Sequence, residues 1–122
     1  MSALESINPT ATEVVAKALI NTKKELGLTN EVLGNIIGMD PSTVSRLIKR
    51  KNIKSGKVME TGLLLIRVYR SLYAILGGDH KAMKHWLNTE NRHVQGKPLE
   101  RLQEISGLVH VVTYLDAMRG RA

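Results

Sequence analysis

At 122 residues the chain has room for one compact unit or two small helical subdomains sharing a core, and its 43% hydrophobic content is that of a globular protein. With 3% aromatic residues and no Phe, the interior must be built from Leu, Ile, Val and Met, and the absence of cysteine excludes disulfides and thiolate metal sites. A net charge of +7 and a pI near 9.9 favour a polyanionic partner.

Residues 1–10 read as a flexible lead-in without the basic start and apolar run of a signal peptide. Thr10 and Glu13 have the spacing of a capping box, which predicts a helix from about Ala11 to Leu26. Its Val15, Leu19, Thr22 and Leu26 recur every three or four residues and so share a face, and Gly27 is a natural stop.

From Thr29 to Arg50 the pattern predicts two short helices joined by a sharp turn. Thr29 caps the first, whose Val32, Leu33, Ile36 and Ile37 face inward, and Gly38 gives the turn its backbone freedom. Asp40 caps the second, and Pro41 suits its first position because a missing N–H costs nothing there. Val44, Leu47 and Ile48 turn inward, leaving Ser42, Thr43, Ser45, Arg46 and Lys49 on the outer face. Gly34 fits a close approach of two steeply crossed helices. From Arg46 to Lys57 the basic residues Arg46, Lys49, Arg50, Lys51, Lys54 and Lys57 occur with no acid among them, a strip suited to phosphates.

The run of Leu33, Gly34, Ile37, Gly38, Met39, Val44 and Leu47 resembles the Xre/lambda-repressor-like helix-turn-helix domains. That resemblance implies DNA binding. Ser42, Thr43, Ser45, Arg46 and Lys49 are then the expected readers of the groove or its flanking phosphates, with Lys51 and Lys54 adding nonspecific attraction.

Asn52 to Gly56 reads as a loop, and Lys57 to Leu76 as a long helix with apolar residues around most of its circumference, so it should be covered on most sides. Arg67 and Arg70 interrupt the apolar run and argue against a membrane span. Apolar surface left over on this helix suits a homodimer, which would let two readers address a palindromic site.

Gly77 and Gly78 end that helix, and Asp79 caps the next, through Asn88. Thr89 to Lys97 reads as a polar loop; Pro98 starts a short helix to about Ser106; Gly107 breaks it; and Leu108, Val109, Val112, Leu115 and Met118 mark a last amphipathic helix. No strand pattern competes. The expected fold is all-α, an N-terminal helix-turn-helix bundle over residues 11–57 followed by a small helical domain over 58–122 for dimerisation and partner binding.

The spacing from Trp86 and Leu87 through Asn91 and Gly96 to Pro98 and Leu99, then Gly107, Leu115 and Arg119-Gly120, resembles the toxin-binding domain of the Xre/MbcA/ParS antitoxins. The resemblance implies a type II antitoxin that occludes the active site of a cognate RES-domain toxin, an enzyme class acting on NAD, and represses its own operon by binding operator DNA. It makes Trp86, Asn91, Gly96, Arg119, Gly120 and Arg121 the candidate toxin-binding residues, although a Trp beside Leu87 and the residues Pro98 and Gly107 also suit purely structural roles. Arg119 and Arg121, two cations near the terminus, suit an anionic cleft.

The four histidines His80, His85, His93 and His110 form no metal-ligand spacing, and no nucleophile or phosphate-loop motif occurs, so neither an enzyme nor a cofactor, metal or small-molecule substrate is expected. A cytoplasmic protein with no membrane partner fits this reading. Two alternatives stay open: a stand-alone dimeric helix-turn-helix repressor, and a toxin-binding module whose DNA binding is vestigial.

Overall fold

The computed structural model describes residues 10–54 and 56–120. Among these, seven helices follow one another without a strand: α1 (Ala11–Leu26), α2 (Asn30–Ile37), α3 (Pro41–Arg50), α4 (Lys57–Ile75), α5 (His80–Leu87), α6 (Pro98–Arg101) and α7 (Ile105–Gly120). The expected flexible lead-in lies almost wholly outside the described residues.

Local chemistry sets most of the boundaries. The Glu13 N–H donates to Thr10 Oγ1 at 3.3 Å, that of Val32 to Thr29 Oγ1 at 3.1 Å and that of Ala82 to Asp79 Oδ1 at 3.1 Å, so α1, α2 and α5 each start on a side-chain cap. α1 and α2 end on Gly27 and Gly38 in the left-handed conformation.

α4 is the spine. It packs on α1 and α2 on one side and on α7 on the other, burying Gly62, Leu65, Ile66, Val68, Ser71 and Leu72. The core is continuous from Val15, Leu19 and Leu33 through Leu65 and Leu72 to Met83, Leu108 and Leu115. Two polar contacts tie the two halves on its rim, Asn35 Nδ2 donating to Gln103 Oε1 at 2.8 Å and His80 meeting Glu25, while Arg67 Nη2 of α4 pairs with Asp116 Oδ2 of α7 at 2.6 Å. No helix among the described residues is long and apolar enough to cross a membrane.

Gly107 does not break a helix as the sequence pattern suggests. It sits buried in the first turns of α7, while α6 ends at Arg101. A Cβ at Gly107 would run into the carbonyl of Arg101, so glycine is needed there for the close approach of α7 to α6, not for an interruption. The expected covering of α4 is also incomplete: Leu63 and Tyr73 remain about half exposed, at 49% and 48%, because α1, α2 and α7 leave one of its faces open.

Candidate functional site

The N-terminal surface is organised by the start of α3. Asp40 Oδ1 accepts the Thr43 N–H at 2.8 Å and the Ser42 hydroxyl at 2.8 Å. The Thr43 backbone bond above all, then the Ser42 and Thr43 side chains and the Arg46 charge, hold the Asp40 carboxyl down at about 2. The cap therefore stays ionised and fixes the first turn of the helix. Gly34 lies buried beneath the turn, and its carbonyl accepts the N–H groups of both Gly38 and Met39, at 2.8 and 2.9 Å. A Cβ at Gly34 would collide with the Met39 carbonyl, so the tight crossing of α2 and α3 requires glycine.

Val44 and Leu47 are buried, and this aims the opposite face outward. Ser42, Arg46 and Lys49 are exposed, whereas Thr43 and Ser45 are half-buried. Arg46 Nη2 donates to Thr43 Oγ1 at 3.0 Å, which holds the guanidinium along the helix. Lys51 closes α3 in the left-handed conformation, φ 55°, with its N–H on the Leu47 carbonyl, and Lys54 is exposed beyond it. Thr43, Arg46, Arg50 and Lys54 rim a hollow of about 320 Å³ floored by Leu47 and Ile53. Arg50 belongs with the candidate readers although the outer-face pattern omits it. The signal is its position four residues after Arg46, on the same side of the helix.

The C-terminal candidates do not converge on one place. Trp86 is half-buried and lines a hollow of about 340 Å³ with Leu76, His85 and Asn91. Asn91 and Gly96 close the intervening loop by two backbone hydrogen bonds, Asn91 N–H to Gly96 O at 3.0 Å and Gly96 N–H to Asn91 O at 3.2 Å, while Asn91 Oδ1 accepts the His93 N–H at 2.9 Å. The segment read as a polar loop is thus a clasp with an apolar plug. Val94 is fully buried, and its carbonyl accepts from Arg101 Nε at 2.9 Å. Arg119 lies in the last turn of α7, with Nη1 3.4 Å from Ser71 Oγ, and lines a different hollow with Leu63, Arg67 and Arg70. Gly120 is exposed at the end of α7, and Arg121 lies outside the described residues.

Sequence reading missed the outward face of α7, where Ile105 is 73% exposed and Val109 48%. His93 stacks on Tyr114, with ring centroids 5.4 Å apart and planes 13° from parallel. Among the described residues no three of His, Asp and Glu gather as a metal site would require.

A family model for the antitoxin Xre-like helix-turn-helix domain matches residues 7–67, and one for the antitoxin Xre/MbcA/ParS C-terminal toxin-binding domain matches residues 71–121. No curated protein matches the chain. Both are regulatory binding domains, which makes a toxin and DNA the partners of this architecture. An open basic helix on a glycine-tightened turn, followed by the clasped loop and long last helix of a toxin-binding domain, places the chain in the antitoxin family that joins an Xre-like helix-turn-helix to an Xre/MbcA/ParS toxin-binding domain.

Proposed function

We propose that this antitoxin neutralises a cognate toxin of the RES class, an NAD-consuming enzyme, by occluding its active site, and that it represses its own operon as a homodimer on operator DNA. The observation that carries the proposal is the coexistence of two surfaces of opposite character in one chain. The outer face of α3 presents Arg46, Lys49 and Arg50, while the end of the chain presents apolar Ile105 and Val109.

In this reading residues 11–57 bind DNA. Ser42, Thr43, Ser45 and Arg46 face base edges, and Lys49, Arg50, Lys51 and Lys54 face phosphates. Residues 58–122 dimerise and hold the toxin, with Trp86, Asn91, Gly96, Arg119, Gly120 and Arg121 shaping or making the contact. The protein acts without catalysis, cofactor or small-molecule substrate, and a DNA target places it in the cytoplasm.

Two variants test the division of labour. Arg46→Ala should weaken operator binding by about 1–3 kcal/mol and leave toxin neutralisation intact, as measured by NAD loss in the presence of the adjacent gene's product. Deletion of residues 119–122 should do the reverse. Equal damage to both activities by both changes would sink the reading, and an adjacent gene product that consumes no NAD would sink the RES assignment alone.

A further inference from the structure

The helices of the fold leave one stripe of α4 open. Glu60, Leu63, Arg67, Arg70 and Ala74 are all exposed, and their spacing of three and four residues puts them on one face. Leu63 stands beside a hollow of about 370 Å³ whose other walls are Leu64, Ile66, Arg67, Arg70 and Arg119. Arg67 is engaged by Asp116. Glu60 and Arg70 have no ion-pair partner among the described residues.

We infer that this stripe is the face on which two copies of the chain meet, with the two α4 helices antiparallel and the two-fold axis level with Leu65. The inference rests on the homodimer proposed above and names its surface. The stripe is self-complementary about that level. Glu60 and Arg70 lie five residues on either side of Leu65, roughly 7.5 Å along the axis, so each Glu60 faces Arg70 of the second copy, twice in the dimer. Leu63 and Arg67 lie two residues on either side, so each Leu63 lies against the aliphatic stem of Arg67 of the second copy, whose guanidinium is already directed to its own Asp116.

An acidic face of a different protein is the competing occupant, since Arg67, Arg70 and Arg119 line the same hollow. The register favours the second copy because two pairs, Glu60 with Arg70 and Leu63 with Arg67, share one centre, so a single antiparallel register satisfies both.

A charge exchange in the full chain decides the matter. Sedimentation equilibrium is run on the wild type, E60R, R70E and the double variant E60R/R70E, with circular dichroism confirming unchanged helicity at these exposed positions. The wild type should be a dimer. Each single change should raise the dissociation constant at least about tenfold, because it sets like charges opposite each other at two symmetric places. The double variant should return to within about threefold of wild type. A wild-type dimer indifferent to both single changes, or one not rescued by the double, overturns this surface and leaves the dimer standing. A monomeric wild type overturns both. Single changes that spare the dimer but abolish co-purification of the adjacent gene's product would give the stripe to the toxin instead.

Discussion

In the helix-turn-helix half, α2 passes so close to the following turn that the Met39 carbonyl oxygen occupies the space where a side chain on Gly34 would begin; in the toxin-binding half, α7 passes the Arg101 carbonyl in the same way at Gly107. Each half therefore depends on a glycine that admits a backbone oxygen. Their surfaces diverge. α3 shows solvent a row of cations, whereas α7 shows Ile105 and Val109 and carries only Asp116 and Arg119 as charges. A polyanion is drawn from a distance by charge and released by salt. An apolar face has no such reach and depends on fitted contact. One chain thus carries two surfaces whose contacts should respond to different solution conditions.

The largest effects should come from the two glycines. Gly34→Ala and Gly107→Ala each force a methyl group into a backbone carbonyl that cannot move without unpacking its helix, and each should cost about 3 kcal/mol, read from chemical denaturation. Because α4 carries the core continuously from one half to the other, each variant should still unfold in a single transition. Two transitions would show that the halves are independent and would break the comparison.

Val94→Ala is next. It empties the plug of the Asn91–Gly96 clasp and should cost about 2 kcal/mol. If the clasp shapes the toxin contact, neutralisation should fall with it while operator binding stays.

The two halves were unequally legible in sequence, and the reasons are physical. Thr29, Asp40 and Pro41 act on groups within three residues of themselves, so their spacing alone locates α2 and α3. Gly34 was legible because a crossing of two adjacent helices dictates a small residue. Gly107 was not. An isolated glycine reads as a stop, and only the fold brings the Arg101 carbonyl against it. Val94 had no periodic neighbours to mark it as core. The outward face of α7 was hidden for the opposite reason: the helix is apolar nearly all round, so no contrast in its sequence separates the covered side from the open one. Candidate DNA readers could be named from one face of one helix, whereas the toxin-binding candidates scattered over a hollow, a clasp and a helix end.

Salt separates the surfaces with a smaller effect. Lys54→Ala should reduce the slope of log operator affinity against log salt by about 1, with little change in base preference. The toxin complex should vary much less over the same salt range. A salt slope for toxin binding as steep as that for DNA would mean that Arg119 and Arg121, and not the apolar residues, dominate that contact.

The smallest effect concerns Asp40 and touches only the DNA-reading half. Its carboxyl is held at about 2, below the ordinary 3.8, by the Thr43 N–H and the Ser42 hydroxyl. A group whose pKa is depressed by folding binds its proton more readily in the unfolded chain, so its stabilisation is complete above pH 3.8 and disappears as the pH falls through 2. Asp40→Asn keeps an oxygen that caps α3 but cannot titrate. Thermal melts between pH 5 and pH 2 should therefore show the wild type losing more stability than the variant, with the wild type the more stable at the upper end and the two converging at the lower. Parallel pH profiles would show that the cap stabilises α3 by geometry alone, and that the carboxylate charge at the start of the reading helix contributes nothing to holding Ser42, Thr43 and Arg46 in place.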